Sequence, residues 1–139
     1  MAATTPTFFV WKDAFKLGLP GVDAEHQQFF EIMNRCAAAA RDGASSTTVE
    51  VLLQELATYA DHHFANEEAE LDRVGYPELE AQRAEHLRFR HELDRIRALP
   101  RPGVLAALSL ARDWLLQHVT GTDRHFVAWI TKDRPRRAI

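Results

Sequence analysis

The chain has 139 residues, 46% hydrophobic and 27% charged, a size and balance that fit one globular domain spanning residues 1–139. Its 17 basic and 20 acidic residues leave a formal charge of -3, which excludes the strongly basic footprint of a nucleic-acid binder. Apolar runs are too short to span a bilayer, the N-terminus lacks a signal-peptide pattern, and the single Cys36 excludes an internal disulfide. A cytoplasmic protein without membrane or nucleic-acid partners is therefore expected.

In chain order, residues 1–20 form an apolar arm with Phe8, Phe9, Val10, Trp11 and Phe15, expected to pack across the rest. The turn Gly18-Leu19-Pro20-Gly21 follows. Helical periodicity then runs over about 22–41, with His26, Phe29, Phe30, Met33, Ala37 and Ala40 at steps of three and four. A turn at 42–46 leads into Thr47-x-x-Glu50, which reads as a capping box opening a helix over about 47–74. Its inner face carries Leu52, Leu53, Leu56, Ala60, His63, Glu67 and Leu71. Gly75-Tyr76-Pro77 separates this from a third helix over about 77–98, with Leu79, Gln82, His86, Phe89, Leu93 and Ile96 in phase. After Pro100-Arg101-Pro102-Gly103, a fourth helix over about 103–131 aligns Leu105, Leu108, Ala111, Leu115, His118, Thr122, Phe126 and Trp129. Residues 133–139 are expected to fray. No stretch alternates with period two, so the fold class is all-α: an antiparallel up-down-up-down four-helix bundle over 21–132 with an N-terminal arm.

Seven histidines are present, and four of them, His26, His63, His86 and His118, fall one per helix on the buried stripe. Glu67 lies one turn after His63. Asp123 follows His118 by five residues, a step of about 140° on an α-helix, so it shares that face only if a π-bulge near Gly121 intervenes. A single His-x-x-x-acid pair is expected by chance in this composition; the joint placement carries the signal. Buried carboxylates cost several kcal/mol unless paired or metal-bound, and no Lys or Arg shares the stripe near them. Mixed imidazole and carboxylate donors suit iron, manganese or zinc. Glu-x-x-His and His-Glu-x-x-His are both absent, which removes the ferritin-like di-iron and zinc-protease alternatives. His62, His91 and His125 are off the stripe, and Cys36 and Met33 read as core filler. Tyr59 and Trp114 read either as core or as walls of the site, and the arginines of the third helix as a solvated face.

Several of these segments together resemble the hemerythrin family, specifically its single-domain bacterial members, from about Val10 to Asp133. They are Trp11 with Leu17-Gly18-Leu19-Pro20-Gly21-Val22-Asp23-Ala24-Glu25-His26 and Asn34; His63-Phe64-Ala65-Asn66-Glu67-Glu68; Gly75-Tyr76-Pro77; and Trp114-x-x-x-His118-x-x-x-x-Asp123. The resemblance implies two non-haem irons, one held by His26 and His63, the other by His86 and His118. Glu67 and Asp123 and an oxo or hydroxo group would bridge them. It implies reversible binding of dioxygen, for carriage, storage or delivery, rather than enzymatic turnover. The wall of Phe29, Phe30, Leu56, Phe89 and Leu115 would exclude water.

The third helix departs from the family pattern of His-x-x-x-His, because its first position is Gln82. That residue has three options: weak ligation through oxygen, holding a water, or standing free. The last two leave the second iron a labile position, with weaker metal retention and faster autoxidation as consequences. Glu78 and Glu85 are neighbours able to substitute, though out of phase. Two alternatives follow: a di-iron peroxidase, oxidase or nitric-oxide-handling protein, and an oxygen or redox sensor. Nitric oxide, peroxide and azide are the further ligands these readings admit.

Overall fold

The computed structural model describes residues 8–137, with side chains over 8–132. After a short 3-10 turn at Asp13–Phe15 come α1 (Pro20–Arg41), α2 (Ser46–Val74), α3 (Leu79–Arg97), α4 (Arg101–Gln117) and α5 (Arg124–Arg137). Between α4 and α5, residues His118–Asp123 form a π-helical segment, so the three pieces make one continuous fourth helix. Each helix packs on its chain neighbour, and α1 also packs on α4, closing a ring of four. Short connections turn the chain back each time, which gives the up-down-up-down order. No strand occurs among the described residues, and no described helix is long and apolar enough to cross a membrane.

The boundaries follow local chemistry. Asp23 accepts from Leu17 N at 2.7 Å and Gly18 N at 3.2 Å, tying the entry turn to the first turn of α1. The Thr47 capping box does not form. Ser45 is the N-cap of α2, its Oγ accepting from Thr48 N at 3.1 Å, two residues earlier than the sequence pattern implies. Gly75 ends α2 at φ 72°, a left-handed cap whose N–H reaches back to Leu71 and Asp72. Pro77 stays in the turn, and α3 begins two residues later at Leu79.

The core holds Phe29, Phe30, Met33, Cys36, Leu56, Phe64, Phe89, Leu93, Leu108 and Leu115 among others. Cys36 is fully buried, its thiol donating to Leu52 O at 3.3 Å, and burial pushes its pKa up to about 12. Core filler describes it and Met33 correctly. The arm packs on the bundle as expected: Phe9 is buried and stacked on Phe30 at 4.0 Å, while Phe8, Trp11 and Phe15 lie against the same cluster. Val10 alone of that apolar group faces out, at 58% exposure. Residues 1–7 lie outside the described residues.

The fourth helix differs from a simple α-helical phase. The π segment adds a residue per turn, so the buried side continues through Asp123, Val127 and Ile130 along with Phe126. Thr122, expected on the inner stripe, is rotated to the flank. The backbone is helical to Arg137, so α5 runs five residues into the segment expected to fray. Residues 138–139 lie outside the described residues.

Candidate metal centre

Each helix delivers one imidazole to the middle of the bundle. His26, His63, His86 and His118 are all buried, together with Glu67, Gln82 and Asp123. The six expected donors are brought together in two overlapping groups. Glu67, His86, His118 and Asp123 form one, and His26, His63 and Glu67 the other. The π segment is what admits Asp123, since it brings a residue five positions after His118 onto the same face.

The two carboxylates divide their oxygens between these groups. Glu67 Oε1 lies 2.9 Å from His86 Nε2, and Glu67 Oε2 lies 3.5 Å from His63 Nε2 and 3.9 Å from His26 Nε2. Asp123 Oδ1 lies 3.2 Å from His118 Nε2, and Oδ2 lies 3.1 Å from His26 Nε2. Despite these distances, His26 Nε2, His86 Nε2, His118 Nε2 and Asp123 Oδ2 make no hydrogen bond. Within each group the donor atoms lie within 4.8 Å of one another, close enough to share a cation. Buried polar atoms are normally satisfied, so a cluster of orphans with this chemistry fits a cation.

Electrostatics agree. Burial pulls the His26 imidazole down, but Asp123 and Glu67 outweigh it and leave its pKa raised to about 9. His118 is likewise opposed by burial, yet Asp123, Glu85 and Glu67 raise it to about 10. Burial opposes ionisation of Asp123, but His118 and His26 hold its carboxyl well below the usual range. The cluster is short of positive charge, and protons on the imidazoles supply it when no metal does.

Sequence reasoning missed an outer ring of carboxylates. His63 Nδ1 donates to Glu25 Oε1 at 2.7 Å, His86 Nδ1 to Glu68 Oε2 at 2.8 Å, and His118 Nδ1 to Glu85 Oε1 at 2.8 Å. A carboxylate only accepts, so each bond fixes a proton on Nδ1 and turns Nε2 toward the centre, as the nitrogen available to a metal. In return His63 and His118 hold the Glu25 and Glu85 carboxyls below the ordinary carboxylate range. Each outer carboxylate sits directly beside an inner donor of the preceding helix: Glu25 by His26, Glu68 by Glu67, Glu85 by His86. That adjacency was the available signal. His26 stands apart, with no partner on Nδ1.

Gln82 is 1% exposed and lies beside the group of Glu67, His86, His118 and Asp123. Its Nε2 donates to Glu67 Oε1 at 3.2 Å and to Asp123 Oδ1 at 2.9 Å, while its Oε1 has no partner. Neither neighbour substitutes for it. Glu85 is committed to His118 and Thr122, and Glu78 pairs with the exposed His125. His62 pairs with Asn66 and His91 is exposed, so all three remaining histidines stay outside the centre.

Aromatic rings close the site. Phe64 stacks on His86 at 4.0 Å, and Trp114 on His118 at 5.1 Å. Phe29 meets His63 edge-on at 5.7 Å. Phe64 was absent from the expected wall, and Trp114 proves to be part of it. Tyr59 lies parallel to His63 and donates to Glu25 O at 2.9 Å. A cleft of about 290 Å³, lined by Leu19, Val22, Phe126 and Ile130 among others, reaches His63 and Glu67 from the surface.

A four-helix bundle with convergent buried imidazoles and carboxylates defines a helical cation-binding protein. Residues 17–130 match the hemerythrin HHE cation binding domain. Relatives include a myohemerythrin of Riftia pachyptila, 28% identical over 123 residues, covering 88% of this chain and 94% of that one. A bacteriohemerythrin of Clostridium acetobutylicum is 28% identical, covering 86% and 98%, and myohemerythrin-1 of Phascolopsis gouldii is 30% identical, covering 85% and 91%. The chain belongs to the hemerythrin family.

Proposed function

We propose that this protein is a non-haem di-iron protein that binds dioxygen reversibly, as a carrier, store or delivery protein, and that it is not an enzyme. The observation that supports this most is the set of orphaned Nε2 and carboxylate atoms facing one another in a buried volume. His26 and His63 would hold one iron and His86 and His118 the other. Glu67 and Asp123, each turning one oxygen to either side, would bridge them along with an oxo or hydroxo group. A reduced iron pair supplies the electrons that hold dioxygen.

The chain's own residues do the rest. Glu25, Glu68 and Glu85 keep three imidazoles in one orientation, so each Nε2 faces the centre before metal arrives and gives up any proton it carries as metal binds. Phe29, Phe64, Phe89 and Trp114 pack around the imidazoles and exclude water, which protects a bound ligand from protonation and loss. The apolar cleft beside His63 suits entry of a small uncharged molecule. We further propose one domain over 1–139 and a cytoplasmic location, the latter resting on the single buried thiol of Cys36.

The test is iron quantification with optical spectra, through cycles of air and anaerobic reduction, with and without azide. Two irons per chain and a reversible spectral cycle are expected. Absence of iron from protein purified and reconstituted under reducing conditions overturns the reading. A peroxidase, oxidase or nitric-oxide-handling role is the second reading, favoured by Gln82, and would appear as steady turnover instead of a reversible cycle. A sensor role would appear as a partner that binds only one redox form.

A further inference from the structure

We infer that Gln82 makes the second metal position an exchangeable ligand site, by positioning the bridging carboxylates without itself becoming a ligand. The inference rests on the di-iron reading above and concerns the half of the centre formed by His86 and His118. Among the residues grouped there, the protein supplies two imidazoles and one oxygen from each of Glu67 and Asp123. The other half has the same count, with His26, His63 and the remaining two oxygens. The two metals are therefore matched in their protein donors, and each has room for an outside ligand.

Gln82 is held away from ligation by its own hydrogen bonds. Its Nε2 is donated to both carboxylate oxygens that face this half, at 3.2 and 2.9 Å. Bonds to ionised acceptors are roughly twice as strong as neutral ones. Turning the amide to offer Oε1 to a metal would break two of them for one bond from a weak neutral oxygen donor. The unpartnered Oε1 is then the second observation. A buried acceptor without a donor is costly. An O–H-bearing ligand on the adjacent metal, water or hydroxide, satisfies it. A cleft of about 390 Å³, lined by Tyr76, Ala81, Glu85, Gly121, Thr122 and His125, opens on this side of the bundle and stops at Glu85, the partner of His118. It is separate from the cleft that reaches His63.

The ligand class is thus water or hydroxide at rest, displaceable by a small monoanion. Azide is the probe. Wild-type protein, Gln82→His and Gln82→Leu are each loaded to two metals per chain, with iron and separately with cobalt(II), and titrated with azide by calorimetry and visible spectroscopy. The expected result is two azides per centre in the wild type and in Gln82→Leu, and one in Gln82→His. Gln82→Leu should also lose about 10–100-fold in metal affinity, because the carboxylates lose their donor. One azide in the wild type and two in Gln82→Leu would show Gln82 to be a ligand and overturn the inference. One azide in both wild type and Gln82→Leu overturns it equally, even if Gln82→His does not fold. Two metals with one azide leaves the di-iron reading standing; failure to hold two metals removes both.

Discussion

His26 and His118 titrate far above an ordinary imidazole, and the reason is the pair of buried carboxylates that no lysine or arginine reaches. The consequence for the metal-free protein has a definite sign. Both pKa values are raised from 6.5 on folding, to about 9 and about 10, so their contribution to stability is complete below pH 6.5. It is lost as pH rises through 9 to 10. Bound metal requires the deprotonated imidazole, so it replaces the protons and removes that alkaline decline, while acid favours metal release. Denaturant unfolding from about pH 8 to 10 is expected to show falling stability without metal and a flat profile with it. A flat metal-free profile would show that the imidazoles do not carry this charge.

At the scale of elements, the π segment decides whether the site is complete, because it carries Asp123 to the centre. Gly121 was the residue expected to permit it, and the structure assigns the glycine a smaller part. Gly121 is exposed, its φ is not positive, and a Cβ there would meet nothing within 4 Å. The segment is held instead by side chains: Thr120 donates to Leu116 O at 2.8 Å, and Thr122 and His118 share Glu85. Gly121→Ala is therefore expected to keep its metal stoichiometry and to gain up to about 1 kcal/mol, through reduced freedom of the unfolded chain. Metal analysis and thermal unfolding check this. A variant that loses metal would return the glycine to a structural role.

For the whole molecule, Asn34 of α1 ties the arm to the bundle through Phe9, beside bonds from Arg112 to Phe8 O and from Arg124 to Ala14 O. Asn34 Oδ1 accepts from Phe9 N and Asn34 Nδ2 donates to Phe9 O, both at 2.9 Å, as a short strand pair would. This holds Phe9 on Phe30, one helical turn after His26 in α1. Asn34→Ala should cost about 1–3 kcal/mol, from the backbone groups of Phe9 left unpaired. Thermal unfolding should register the loss, and metal stoichiometry should stay unchanged. A variant that binds less metal would mean that the arm shapes the centre as well as capping the core.

Helix positions, the four inner histidines, Glu67 and even the need for a π-bulge before Asp123 were legible in the sequence. All of these follow from the angle per residue of a helix, a local property that a linear pattern records. The outer ring was not legible, because Glu25, Glu68 and Glu85 sit on helix flanks where a solvated carboxylate is the ordinary expectation. Their partners lie on the next helix, and only the packing distance between helices joins them. Gln82 shows the same limit most plainly. The sequence by itself determined that an amide stands where the family pattern has an imidazole, and that it faces the centre. Only the tertiary structure decided what the amide does there, because its hydrogen bonds go to Glu67 of α2 and Asp123 of the fourth helix, 15 and 41 residues away.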